Sequence, residues 1–259
     1  MLQNLNATNS RLDRVQNRVS TGLKVNSAID DASSFAIAQG VRGNLKAFGA
    51  VSQGLSNGRG VAAVTLAGAT AISDILGDIQ KKITEGQNAG NSTEQQQILN
   101  ADFLNLVSQI NTFITNATYN GRNLLSNNST SINVIANVDG STLTIRSNSA
   151  FAQQSVNLGS QNLSSTIGAF KALSALFNAQ ATINTVLGNL GADTRSLNFQ
   201  DDFVSKLIDA TSEGLGSIVD ADLAKESSRL QALQVQQQLS VQTLNIANSN
   251  PRNLINLFQ

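Results

Sequence analysis

Apolar residues recur at alternating intervals of four and three along three long stretches of the chain. From 99 to 117 this spacing is strict and predicts a helix with one narrow apolar seam. From 173 to 218 it predicts one long helix or two collinear helices. From 41 to 83 it predicts a third, whose glycines lower its intrinsic helicity and make it depend on close packing against partner helices. Three long seams predict a helical bundle.

The pattern changes to alternation between residues 131 and 147, which read SINVIANVDGSTLTIRS. Apolar residues on both sides flank the pair Asp139 and Gly140, and this arrangement is a strong hairpin signal. We therefore predict a small β region at about 126–165, with strand or loop in the polar segment 147–165. The predicted fold class is mainly α: a long antiparallel helical bundle or coiled-coil rod with a small β-hairpin and no large outer domain.

The two chain ends carry a different pattern. From Gln231 to Pro251 there is no charged residue, yet helical periodicity continues. On a wheel of about 100° per residue the apolar side chains fall on two opposite sides. Such a helix needs two sets of neighbours: the N-terminal helix supplies one, and another helix or another molecule must supply the second. The residues concerned are Leu5, Leu12, Val15 and Val19 at the N-terminus, Leu230, Leu233, Val241 and Leu244 on one side of the C-terminal helix, and Val235, Leu239 and Ile246 on the other.

Glutamine and asparagine fill the rows between these apolar stripes. Where identical copies pack side by side, a charged residue meets its own image and is repelled, whereas an amide both donates and accepts hydrogen bonds. Uncharged polar rows therefore favour repeated self-contact.

Composition limits the possible functions. The chain has no His, Cys or Trp and only 13% charged residues, so most side chains used as general bases, thiolates or soft metal ligands are missing. We expect no enzyme and no cofactor. A formal net charge of zero disfavours a nucleic-acid partner, and we expect no membrane partner and no cleavable signal peptide, because no long apolar run and no basic start followed by an apolar core occur.

The adjacent pair Asp30 and Asp31 has two interpretations. As catalytic carboxylates they need a companion acid or base and a pocket, which nothing nearby supplies. As helix-start residues, with Asn26 and Ser27, they stabilise the positive end of the following helix and accept from its free amides. Gly22 before them permits a turn, so we expect this segment to be a connector.

Four separated motifs resemble those of bacterial flagellins, in the same order along nearly the whole chain. Residues 18–38, RVSTGLKVNSAIDDASSFAIA, resemble the N-terminal signature, and 118–125, TYNGRNLL, resemble the turn before the β region. Residues 191–199, GADTRSLNF, are similar to part of the C-terminal rod helix, and 219–258 to the C-terminal helix and tail. The resemblance is greatest to the short flagellins of alphaproteobacteria.

This resemblance implies a structural subunit that polymerises into an extracellular flagellar filament for swimming motility. It implies an inner-core helix and connector at 1–32, a rod domain at 33–218 and a C-terminal inner-core helix at 219–259. It further implies that the chain is exported without a cleaved signal peptide. The implied partners are other copies of the chain, a type III export apparatus with an export chaperone, and hook-associated cap and junction proteins.

The resemblance also carries two finer expectations. Exposed Ser or Thr residues of some flagellins bear O-linked sugars, so Ser129, Thr130, Ser147 and Ser149 are candidates. Flagellins usually carry a further short segment before the point where this sequence begins, so we expect weakened or absent self-assembly of this 259-residue chain.

Three other functions stay open as alternatives: a hook-filament junction protein, a flagellin-fold surface adhesin or polysaccharide binder, and a hydrolase that uses paired acids.

Overall fold

The computed structural model describes the backbone of residues 2–255 and the side chains of residues 2–246. Residues 256–259 of the predicted C-terminal segment lie outside this range. The described chain contains six helices and one two-stranded sheet. These elements are α1 (Leu2–Thr21), α2 (Ala32–Gly86), α3 (Thr93–Asn116), β1 (Ile132–Ile135), β2 (Thr142–Ile145), α4 (Ala150–Gly159), α5 (Thr166–Val219) and α6 (Leu223–Ile255). The chain divides into two compact units: one contains the segments up to Lys46 and from Ile208 onward, and the other is Ala47–Leu207.

The second unit is a helical bundle built on α2, α3 and α5. Its core is one cluster of buried side chains from these helices and from α4, including Ile72, Phe103, Phe151 and Leu176. Side-chain contacts fix the helix directions: Gln80 meets Gln180, while Arg59 meets Asp201. Helices α2 and α5 are therefore antiparallel, and the predicted mainly α bundle is confirmed.

Helix α3 begins at Thr93, about two turns before the apolar seam that predicts it from residue 99. Ser92 is its N-cap, and its hydroxyl accepts from the Gln95 amide while the Gln95 side chain accepts from the Ser92 amide. This reciprocal capping box satisfies two amides that the first helical turn leaves unpaired. The buried face is broader than the predicted seam, because Val107 and Ile114 are buried next to it.

The predicted hairpin is confirmed. Strand β1 pairs antiparallel with β2, with Ile132 opposite Ile145 and Val134 opposite Leu143, so that these four side chains share one face. Asp139 accepts from the Ser141 amide at the turn, and Gly140 has a φ of +86°, a conformation that glycine adopts at little cost.

The expectation of strand or loop throughout 147–165 is wrong, because helix α4 occupies Ala150–Gly159. Its buried residues Phe151, Ser155 and Leu158 have helical spacing, and the Ser155 hydroxyl donates to the Asn111 side chain of α3. Three residues of one face in a short polar segment are a weak signal, and packing against α3 decides the structure.

Two glycines of α2 allow close approach by the segment between α3 and β2. A Cβ atom built on Gly58 falls 2.7 Å from a methyl carbon of Val134, and one built on Gly60 falls 2.6 Å from the Tyr119 ring. Gly77, in contrast, has nothing within 4 Å. Close approach to α2 therefore occurs at these two sites, but the neighbours are the hairpin and Tyr119 and not the partner helices that the sequence predicts.

Helix α2 also contains an 18-residue window with a mean hydropathy of 1.5, which meets the length and composition of a membrane span. Core helices of soluble proteins meet the same criterion. Here Ile72, Leu76 and Ile79 of α2 are packed in one cluster with Phe103 of α3 and Leu176 of α5, so other parts of this chain cover that face.

We expect opposite effects from two alanine substitutions in α2. Gly60→Ala should destabilise the second unit because the new methyl group displaces the Tyr119 ring. Gly77→Ala should raise the free energy of unfolding by roughly 0.5–1 kcal/mol, because alanine loses less backbone entropy in an open helical position. Denaturant unfolding monitored by circular dichroism measures both, and a stabilising Gly60→Ala would contradict the close contact.

Candidate assembly surface

Helices α1 and α6 pack against each other in the first unit. Leu12, Val15 and Leu233 are buried in their interface, and Val19 and Leu230 are partly buried beside them. The burial of each such side chain is worth about 1.5–3 kcal/mol at most. The apolar side of α1 that the sequence predicts is therefore packed against α6 of the same chain.

Polar contacts fix the direction and register of this pair. The Gln237 amide donates to the Asn9 side chain, and Arg18 forms an ion pair with Glu226 at 3.3 Å. Because a residue early in α1 meets one late in α6, the helices are antiparallel. The Asn9–Gln237 contact pairs two amides across a helix interface within one chain, whereas the uncharged polar rows predict such pairs between copies.

The strip of α6 that α1 covers is narrower than the helical wheel predicts. Leu244 lies on the covered side of α6 and is half-buried, and Leu5 of α1 is also half-buried. Val241 is 44% exposed, although the wheel groups it with Leu233. It lies about 80° from Leu233 at 100° per residue, which is at the edge of the strip that a single partner helix covers.

The opposite side of α6 faces away from α1. Val235 is 55% exposed and Leu239 is 58% exposed, and Ile246 is exposed on the same side. These three residues lie within about 40° of one another on the wheel and roughly opposite Leu233. We call them the outward face of α6.

The connector between α1 and α2 is held to the junction of α5 and α6 by backbone hydrogen bonds. The Lys24 amide donates to the Val219 carbonyl, and the Ala221 amide donates to the Gly22 carbonyl. Gly22 has a φ of +74°, which ends α1 and turns the chain. Sequence reasoning identified Gly22 but missed this pairing, since neither partner segment has a strand pattern.

A small apolar cluster supports the connector. Val25, Ala38 and Val219 are buried together, with Phe35 and Leu215 packed against them. Leu23 and Val25, which flank the charged Lys24, are the signal in the sequence that this loop has a buried side.

Asp30 and Asp31 are both exposed, and each makes local hydrogen bonds. The Asp30 carboxylate accepts from the Asn26 amide and from the amide and hydroxyl of Ser27. The bonds from the Ser27 amide and then its hydroxyl hold the pKa of Asp30 below its ordinary value.

Asp31 stands directly before α2. It accepts from the Ser33 amide and from the amide and hydroxyl of Ser34. The Ser34 hydroxyl is the main cause that lowers the pKa of Asp31, followed by the Ser34 amide. The Asp30 carboxylate therefore stabilises the turn of the connector, and the Asp31 carboxylate stabilises the start of α2. This arrangement gives no support to the hydrolase alternative.

The four candidate glycosylation residues differ in accessibility. Thr130 is exposed, while Ser129, Ser147 and Ser149 are half-buried. The hydroxyl oxygens of Ser129 and Ser147 lie 2.6 Å apart in one hydrogen bond. Of the four residues, Thr130 is therefore the most exposed. In the part of the chain with described side chains, no three His, Cys, Asp or Glu residues converge as a metal site.

Comparison with known proteins gives two matches to family profiles. The bacterial flagellin N-terminal helical region matches residues 1–130, and the bacterial flagellin C-terminal helical region matches residues 173–258. Flagellin FljO of Caulobacter vibrioides is 37% identical over 100% of this chain and 94% of its own length. A flagellin of Brucella melitensis is 35% identical over 100% of this chain and 95% of its own length. A solved flagellin structure from Bacillus cereus shows a TM-score of 0.38 at 15% identity, covering 69% of this chain and 94% of that one.

We expect Ser34→Ala to raise the pKa of Asp31 toward its ordinary value of 3.8, because the substitution removes the hydroxyl that favours the charged form. Carboxyl titration by carbon-13 NMR measures this pKa. Ser33→Ala is the matched control, since only its amide contacts Asp31, and equal shifts in both variants would contradict the assignment.

The sign of the pH dependence follows from the same contacts. Because the folded pKa values of Asp30 and Asp31 are lowered, their contribution to connector stability is present above 3.8 and is lost as the pH falls through the folded values. In acid titrations followed by amide exchange, Asp31→Asn should remove the part of this dependence that belongs to the start of α2. An unchanged profile would be contrary to this expectation.

Proposed function

The chain belongs to the bacterial flagellin family and is a structural subunit of a flagellar filament, and from this premise we propose that it enters the filament through the outward face of α6. Members of this family are structural proteins and self-polymerise into an extracellular filament. The specific contact surface is our proposal, and the exposure of Val235, Leu239 and Ile246 is the observation that carries it.

The energetics of these residues favour a second copy of the chain as the neighbour. Each large aliphatic side chain moved from water into an interface contributes about 1.5–3 kcal/mol at most. Glutamine and asparagine residues surround this face, and no charged residue lies between Leu230 and Pro251. Identical helices can therefore approach one another without like-charge repulsion.

This proposal assigns the segments of the chain to the inner core and to the rod of the filament. We place the inner-core packing residues of α1 and α6 in segments 1–32 and 219–259, and the rod domain in 33–218. The antiparallel α1–α6 pair then presents one composite surface to its neighbours, with Leu12, Val15 and Leu233 keeping the two helices together.

Further partners and the route of export follow from family membership as proposals. We propose export through the flagellar type III apparatus with a chaperone and without cleavage of a signal peptide. Cap and junction proteins at the filament ends are then expected to contact the same outward face of α6, because the terminal subunits present it uncovered.

The test replaces two outward residues together, as Val235→Ser and Leu239→Ser. The soluble chain should keep its helix content, because both side chains already lie exposed. Under salt conditions in which the unmodified chain assembles, the critical concentration should rise about tenfold or more, since each 1.4 kcal/mol lost corresponds to a factor of ten. Sedimentation and electron microscopy measure assembly.

Val156→Ser is the matched control. Val156 is comparably exposed, on α4, and it is not part of the α1–α6 pair, so its replacement should leave the critical concentration within about twofold. Equal effects of the control and the α6 double variant, or normal filaments from the double variant, would exclude the outward face as the assembly contact.

A further inference from the structure

Glycine follows an asparagine or an aspartate at three places in the chain: Asn57–Gly58, Asn120–Gly121 and Asp139–Gly140. An asparagine side chain in this position can react with the backbone, because glycine has no Cβ atom to hinder its own amide nitrogen. The reaction needs a glycine amide without a hydrogen bond and an asparagine side chain that is free to turn toward it. The three sites differ in these two requirements.

The turn at Asn120 meets both requirements. Tyr119 and Arg122 join its ends by two backbone hydrogen bonds of 2.9 Å. Asn120 and Gly121 between them are exposed, and neither the Asn120 side chain nor the Gly121 amide has a hydrogen-bond partner within the described range. A Cβ atom built on Gly121 has nothing within 4 Å, so no neighbouring group blocks the approach of the two reacting groups.

The other two sites are blocked. Asn57–Gly58 lies within α2, where helical hydrogen bonding occupies the glycine amide and fixes the peptide plane. At the hairpin turn the Gly140 amide donates to the Asn137 carbonyl. The Asp139 carboxylate accepts from the Ser141 amide, and this bond is the main cause that holds the pKa of Asp139 below its ordinary value. The Asp139 side chain is therefore an anion at neutral pH, and its negative charge disfavours attack by a nitrogen nucleophile.

The backbone of the Asn120 turn is also able to move. Asn120 has a φ of +48° and is the one residue other than glycine with a positive φ in the described range. Asparagine adopts this conformation more readily than most residues. The two hydrogen bonds form an isolated bridge outside the sheet, and exposed bonds of this kind open more readily than those of a packed helix. The Gly121 peptide can therefore rotate toward the Asn120 side chain.

We propose that Asn120 is a site of spontaneous deamidation, in which the Gly121 amide nitrogen attacks the side-chain carbonyl carbon of Asn120. The nitrogen loses its proton to hydroxide and forms a bond to that carbon. The bond from the carbon to the side-chain nitrogen then breaks, and this nitrogen takes a proton from water and leaves as ammonia. One water molecule opens the resulting five-membered imide at either carbonyl, which yields aspartate or isoaspartate.

Both products alter the groove beside the turn. This apolar groove has a volume of about 540 Å³ and runs between α2, the turn and the hairpin, and Arg122 is the one charged residue among those lining it. Asn120 also lines it, so deamidation adds a carboxylate there. Isoaspartate further adds one atom to the backbone between Tyr119 and Arg122, which breaks the pairing of these residues and releases the Tyr119 ring from its place against Gly60. None of these steps involves the outward face of α6, so the inference does not rest on the proposed function.

Peptide mapping by mass spectrometry, after storage of the full chain in mildly alkaline buffer, tests the site. Asn120 should be converted at least about tenfold faster than Asn57, because α2 must open before the Gly58 amide can react. In denaturant the two asparagines should be converted at similar rates. Equal rates in the folded chain, an Asn120 that stays intact there while it is converted in denaturant, or the same difference in denaturant would overturn the proposal.

Tyrosine fluorescence gives an independent readout, because Tyr119 is the only tyrosine and the chain has no tryptophan. Asn120→Gly is the matched control, since glycine accepts the positive φ of this position and has no side-chain amide to lose. Storage should change the emission of the unmodified chain in proportion to the isoaspartate formed and should leave that of the Asn120→Gly variant constant. Equal changes in both chains, or isoaspartate without a change in emission, would overturn the release of the Tyr119 ring.

Discussion

Helix α6 carries apolar residues on two opposite sides, and α1 covers only one of them. Leu233 is buried against Leu12 and Val15, while Val235 and Leu239 are exposed on the other side. A helix of this kind cannot satisfy both sides within one pair, so its free energy depends on a further neighbour. The absence of charge between Leu230 and Pro251 allows that neighbour to be an identical helix.

The second unit is organised by close approach at small residues. The hairpin and the turn at Tyr119 rest on Gly58 and Gly60 of α2, and a buried carboxylate of α5 holds the hairpin from its other strand. Asp193 accepts from the amide and guanidinium of Arg146. This nearly buried carboxylate is hydrogen-bonded to a charged partner, as burial of a charge requires. The hairpin is thereby attached to two antiparallel helices.

How far the sequence predicts the structure depends on the range of the interaction concerned. The capping box at Ser92 and the turn at Gly140 are local, and both follow from a few adjacent residues. The long helices follow from periodicity over many turns. Helix α4 was missed because two large apolar residues, Phe151 and Leu158, give little periodic signal in a polar segment, and its structure is decided by contact with α3.

At the candidate assembly surface, too, the local features follow from the sequence and those that depend on distant contacts do not. The wheel identifies Val235, Leu239 and Ile246 as one side of α6, because angular position is a property of the helix alone. It does not show that α1 leaves Val241 44% exposed, because the width of the strip covered by α1 depends on how closely the two helices pack. The backbone pairing of Lys24 with Val219 joins residues nearly two hundred positions apart, and single-sequence patterns carry no record of such pairs.

A low content of charge constrains where this chain can place its remaining ionic groups. Only 13% of the residues are charged, well under the roughly 25% of ordinary soluble domains. Arg18, Arg59 and Arg146 are paired with carboxylates within the chain. Two of their partners, Asp193 and Glu226, are buried, so these ion pairs lie where an unpaired charge would cost the most free energy. The segment from Gln231 to Pro251 contains no charged group at all, and this scarcity lets identical helices approach one another there.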